Sequence, residues 1–135
     1  MKESMEKMKI EEIVRYWIAC AEDDWKAIEG LLKNENYSYV LFFGHLYLEK
    51  LLKALVVKET KIHAQPTHNL RLLAEKANLS LLDEQLGFVL RVNEYNIKAR
   101  YPDFKFEFKQ QCTKEFALEE IEKIGEFGKW LIKKL

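Results

Sequence analysis

From Ile10 onward the apolar residues of this chain recur at helical spacing: Ile10, Ile13, Val14, Trp17, Ile18, Ala21, Trp25, Ile28, Leu31 and Leu32. A stripe that broad on a 3.6-residue period predicts an amphipathic first helix packed on a core. The polar run Lys33-Asn34-Glu35-Asn36 ends it. A second helix is expected from a Ser38 cap to about Lys58. It is apolar on nearly every side, and such a helix belongs at the centre of a bundle. Thr67, following Pro66, is placed to cap a short third helix carrying Leu70, Leu73 and Ala77.

Ser80-Leu81-Leu82-Asp83 has the spacing of a near-capping box for a fourth helix, with Leu82, Leu86, Val89, Leu90 and Ile97 expected inward. Pro102 biases Tyr101 away from helical geometry and stops that helix. A last helix is expected over Lys114 to Leu135, with Ala117, Ile121, Ile124, Phe127 and Leu131 along one side. Its acids come early and its lysines late, in keeping with the helix dipole. Between the last two helices, Phe104-Lys105-Phe106-Glu107-Phe108-Lys109 alternates like a strand. The expectation there is an extended segment laid against the bundle or against a partner subunit. The pattern as a whole predicts an all-α, up-and-down bundle of about five helices, one domain over residues 1–135.

Composition narrows this picture without redirecting it. At 135 residues the chain has the length of one ordinary domain, with enough apolar residues for one core. Lys plus Arg number 22 and so do Asp plus Glu, so no net field draws the protein to nucleic acid, and any such contact needs a local cluster. Cys20 and Cys112 stand far apart, which argues against a disulfide framework or zinc site and for free thiols. Met1-Lys2-Glu3-Ser4 leads into no apolar run of signal-peptide length. The greasiest stretch, Tyr39 to Val57, is broken by His45, Glu49, Lys50 and Lys53, which a bilayer span tolerates poorly. A cytoplasmic protein without membrane partners is expected.

Two groups of polar residues stand where helix faces should be apolar. His45, Glu49 and Lys53 fall at i, i+4 and i+8 of the second helix, with Lys50 on the neighbouring edge. Because burying unpaired charge is costly, the plain expectation is that this stripe is the helix's solvent-facing side. The functional alternative is a polar groove between helices, or a patch facing a second subunit. On the fourth helix, Asn93, Asn96 and Arg100 follow the inward face. They are suited either to bind a phosphate or base edge or to satisfy the helix's own C-terminus. Arg100-Tyr101-Pro102-Asp103 gathers a cation, an aromatic ring and an acid at a rigid turn. His68 in the first turn of the third helix either packs locally or touches a ligand. The histidine spacing makes a metal site improbable, and Glu119-Glu120 reads as part of a solvated face. No Gly-rich phosphate loop or nucleophile elbow occurs, and no cofactor is implied.

Taken in order, several segments resemble the HEPN family of small prokaryotic helical proteins. They are Trp17 with Ala21, Asp24 and Ala27; Tyr37; Glu49-Lys50-Leu51-Leu52-Lys53-Ala54-Leu55; Thr67-His68-Asn69-Leu70; and Ala99-Arg100-Tyr101-Pro102-Asp103. No single piece is specific, but the ordered set is, and it runs from Ile13 to Asp103. The resemblance implies a bundle related to the helical domain of some aminoglycoside nucleotidyltransferases. It also implies a homodimer, a minimal nucleotidyltransferase as partner in a complex or toxin–antitoxin pair, and nucleotide or RNA as ligand. The positions matching the family's polar motifs are Glu49, Lys50, Lys53, His68, Arg100, Tyr101 and Asp103; Asn96 joins them from the reading of the fourth helix. Many HEPN proteins are metal-independent ribonucleases that use an Arg followed four to six residues later by a His. Here Arg91 is followed at that spacing by Asn96, and no histidine occurs after His68. An amide cannot exchange protons near neutral pH, which disfavours ribonuclease activity through that motif. Three functions remain open. The first is a binding module that pairs with a nucleotidyltransferase. The second is a ribonuclease using His45 or His68 with Arg91 or Arg100, and the third is a self-assembly domain built on Phe104 to Phe108.

Overall fold

The computed structural model describes the backbone of residues 2–135, and side chains except those of residues 1–5, 8 and 102. Among the described residues six helices follow one another: α1 (Lys2–Lys33), α2 (Tyr37–Thr60), α3 (Leu70–Lys76), α4 (Asp83–Arg100), α5 (Pro102–Gln111) and α6 (Lys114–Ile132). No strand occurs among the described residues. None of these helices is long and apolar enough to cross a membrane.

The all-round apolarity of α2 is explained by its neighbours, for it packs against α1, α3, α4, α5 and α6. Leu41, Leu48, Leu51 and Leu52 are sealed from solvent there, against Ile124 and Leu131 of α6 and Tyr95 of α4. Two glycines of α6 make room for aromatic rings of α1 and α2. A side chain at Gly128 would stand 2.5 Å from the Tyr47 ring, and one at Gly125 would stand 3.0 Å from Trp25. By contrast α1 packs extensively on α2 alone. At 1.5 Å per residue its 32 residues span about 48 Å, against about 36 Å for α2. Ile10, Ile13, Val14, Trp17 and Ile18 of α1 are all only partly covered.

Helix starts differ from the sequence expectation in three places. Asn36, not Ser38, precedes α2, and its side chain makes no cap. Asn69, not Thr67, caps α3, its Oδ1 accepting from the Leu72 N–H. The Thr67 hydroxyl instead accepts the Asn69 N–H (3.1 Å), fixing the entry to the cap. Leu82, not Ser80, precedes α4, where the Gln85 side chain reaches back to the Leu82 N–H (2.9 Å). Thr113 caps α6 through the Phe116 N–H.

Two larger corrections concern faces. On α4 the buried residues are Val89, Val92, Tyr95, Asn96 and Ala99, while Leu82, Leu90 and Ile97 are exposed. The 3.6-residue period allows either stripe. Tyr95 decides between them, because its ring packs on Phe108 (5.5 Å between centroids) and Phe116, and its hydroxyl meets a buried carboxylate. The segment Phe104 to Lys109 is not extended but lies in α5. Pro102 opens that helix at N1, where no amide hydrogen is needed, and Asp103 suits its first turn. Of the three aromatics only Phe108 is buried, and Phe104 and Phe106 face solvent. The alternation of aromatic and charged residues imitated a strand in a helix made mostly of ordinary helix formers.

Candidate functional site

The polar stripe of α2 is not solvent-facing. His45, Glu49 and Lys53 are 0%, 4% and 7% exposed, which corrects the plain expectation for these residues. They are tolerated inside because each charge finds a partner, as buried charge requires. Glu49 is the hub. One carboxylate oxygen accepts from Lys53 Nζ (3.0 Å) and the other from His68 Nδ1 (2.8 Å). Lys53 also stands over the Trp17 ring of α1, 5.2 Å from its centroid. His68 belongs to the α2–α3 connection, and its side chain is about half exposed. His45 Nε2 donates to the His68 carbonyl (2.8 Å), so the connection is held by both the side chain and the backbone of one residue.

That bond fixes the proton of neutral His45 on Nε2, leaving Nδ1 without a hydrogen-bond partner, 3.8 Å from the shared Glu49 oxygen. Burial holds the His45 pKa below its ordinary value, against the opposing pull of the His68 carbonyl and Glu49. The folded state therefore binds this proton less readily than the unfolded chain does. The resulting stability is complete above pH about 6.5 and is lost as pH falls below it. Urea unfolding at stepped pH should show stability declining below that point, with a shallower decline in His45→Gln. Equal slopes in the two proteins would contradict this role for His45.

Lys50 turns the other way and reaches Asp24 on α1 (2.5 Å). Burial raises the Asp24 pKa, and Lys50 opposes that rise. Glu49, Lys53 and His68 thus come together, joined by His45, while Lys50 belongs to a separate clamp between α1 and α2. Asn93 ties the same region to α4: its Oδ1 accepts the Leu70 N–H (3.0 Å) at the start of α3.

The second group of expected site residues lies at the end of α4. Asn96 is buried and accepts from Arg100 Nη1 (3.2 Å). Arg100, Tyr101 and Asp103 are exposed. Among the described residues no hydrogen bond or ion pair joins these four to the Glu49 group.

Sequence reasoning missed a third group. Glu120, expected on a solvated face, is 2% exposed and accepts two hydrogen bonds from Arg91, from Nε (2.7 Å) and Nη2 (3.0 Å). The Tyr95 hydroxyl donates to the same carboxylate. Burial alone would raise the Glu120 pKa, but Arg91 and Tyr95 outweigh it and the net shift is downward. Burial and the adjacent carboxylate push the Tyr95 hydroxyl strongly upward. The available signal was that Glu120 lies three residues from Ala117 and four from Ile124, on the apolar side of α6. Arg91 is thereby committed to Glu120, and the position five residues on carries Asn96, whose oxygen is engaged by Arg100.

The cysteines are both free, and burial pushes the Cys112 thiol up to about 12, which makes it unreactive. Among the described residues, no group of three or more His, Cys, Asp or Glu side chains is placed to hold a metal ion. The family model described as HEPN domain matches residues 14–135. Neither a curated protein nor a solved structure matches the chain.

Proposed function

The chain belongs to the HEPN domain family, and from that premise we propose that it is a binding module rather than a nuclease. In this reading it forms a homodimer, assembles with a minimal nucleotidyltransferase of toxin–antitoxin type, and holds nucleotide or RNA. The observation that carries the assembly part is α1. A helix of 32 residues that packs extensively on one neighbour leaves an apolar stripe only partly covered. Beside it run two stretches of groove, about 670 and 530 Å³, that meet at Ile18. Ile10 and Val14 line the first and Trp25 the second. A partly covered apolar stripe lining a continuous groove is the kind of surface that meets another protein.

Ligand contact is assigned to the groups that reach solvent in the α2–α3 connection and at the α4–α5 junction, His68, Arg100, Tyr101 and Asp103. Glu49, Lys50, Lys53 and Asn96 act behind them by holding the helices in position. The committed state of Arg91 and the amide at position 96 favour binding over cleavage.

Light scattering across a range of concentrations tests the assembly. The wild-type chain should have the mass of a dimer, and Val14→Asp/Ile18→Asp that of a monomer with its helical content kept. A monomeric wild type, or a dimer untouched by the double substitution, would refute the assignment of this face.

A further inference from the structure

The groove along α1 carries charges as well as apolar side chains, and the order of those charges says what fits it. Ile10, Val14, Ile18 and Trp25 form its apolar seam. On the N-terminal side of Ile18 the seam is flanked by Lys7, Glu11 and Arg15, in the order plus, minus, plus, with Glu6 at the far end. On the C-terminal side it is flanked by Glu22, Lys26 and Glu29, in the order minus, plus, minus. All six flanking residues are exposed. Among the described residues, Glu11, Arg15, Glu22 and Lys26 form no ion pair within the chain. Glu22 does act on the groove floor, where burial and its negative charge raise the pKa of the Tyr47 hydroxyl.

A helix face with this charge order is complementary to a copy of itself running the opposite way. In a parallel pair every charge stands beside its own counterpart and repels it. In an antiparallel pair crossing at Ile18, Arg15 stands beside Glu22 of the other copy, Glu11 beside Lys26 and Lys7 beside Glu29. The two-fold axis makes each of these contacts twice. Val14, Ile18 and Trp25 then fall along the middle of the contact with the charges around them, an apolar centre inside a polar rim. From Lys7 to Glu29 the seam runs about 33 Å, most of the length of α1. The opposite wall agrees with this direction. Lys58 and Lys61 of α2 add cations to the N-terminal stretch, and an antiparallel α1 would lay its acid-rich half, Glu22 and Glu29, along it.

We infer that this groove is covered by α1 of a second copy of the chain, running antiparallel and crossing at Ile18, with Arg15 and Glu11 of each copy against Glu22 and Lys26 of the other. The inference rests on the homodimer reading above and gives it a direction and a register, which an apolar face alone does not define.

Sedimentation equilibrium of the whole chain and its charge variants at low salt provides the test. Arg15→Glu and Glu22→Arg each set like charges together at two symmetric places, and each should weaken the dimer about tenfold. The exchange variant Arg15→Glu/Glu22→Arg restores opposite charges and should regain most of the wild-type affinity. Glu12→Lys alters an exposed charge outside the groove and should leave the dimer unchanged. Circular dichroism should show the same helical content in every variant, since all the substituted side chains are exposed. An equimolar mixture of Arg15→Glu and Glu22→Arg should associate more tightly than either variant alone. Single reversals without effect, or an exchange variant no tighter than the singles, would overturn the antiparallel register. If Val14→Asp/Ile18→Asp still abolished that dimer, the broader assignment of the α1 face would stand without it. A monomeric wild type would overturn both and leave the groove to a different protein.

Discussion

Replacing Glu49 by alanine should destabilise the protein by about 3–5 kcal/mol, the usual cost of breaking a buried ion pair from one side. The carboxylate is 4% exposed, and it is the counter-charge for Lys53, itself only 7% exposed. Without it the ammonium is left inside the α1–α2 interface with the Trp17 ring as its remaining neighbour. His68 also loses the anchor that holds the α2–α3 connection. The penalty comes from the stranded charge and not from lost contact area, so Glu49→Leu/Lys53→Met should recover most of it. Urea denaturation of the wild type, the single and the double variant provides the measurement. If the double variant is no more stable than Glu49→Ala, the loss has another source.

The next largest effect is expected at Glu120. Glu120→Ala should cost about 2–4 kcal/mol, since it strands a buried tyrosine hydroxyl and frees Arg91 from two charge-assisted bonds. Arg91 is itself substantially exposed and regains water, so its share of the loss is the smaller one. Tyr95→Phe separates the two shares. It removes the hydroxyl and leaves the Arg91 bonds, and should cost about 1 kcal/mol. Thermal unfolding of both variants checks the ranking. A larger loss for Tyr95→Phe than for Glu120→Ala would contradict it.

Much of the helical architecture was legible because hydrophobic period and capping chemistry act locally. The long stripe of α1 and the all-round apolarity of α2 required only spacing. What spacing could not decide was rotation and partnership. Leu90 and Ile97 made as good an inward stripe for α4 as Val92 and Ala99. The choice fell to Tyr95, whose hydroxyl partner Glu120 is 25 residues away in sequence. The stripe His45, Glu49 and Lys53 was visible, but its burial depended on His68 arriving from the next connection to share Glu49 with Lys53. Glu120 was hidden by its charged neighbour Glu119, which does face solvent. The helix α5 was concealed by an alternation of aromatic and charged residues that reads as a strand without the proline at its start. Of the expected site residues, the sequence located those that hold helices together as readily as those that stand free, because both are polar residues on an apolar background.

This HEPN chain is proposed to bind its ligand without cutting it. Single-stranded RNA incubated with the purified wild-type protein in EDTA, then divided between a binding assay and a denaturing gel, tests that claim most directly. The expected result is RNA that is retained by the protein and recovered intact. RNA that is cleaved, with cleavage abolished in Arg91→Ala or Arg100→Ala, would contradict it.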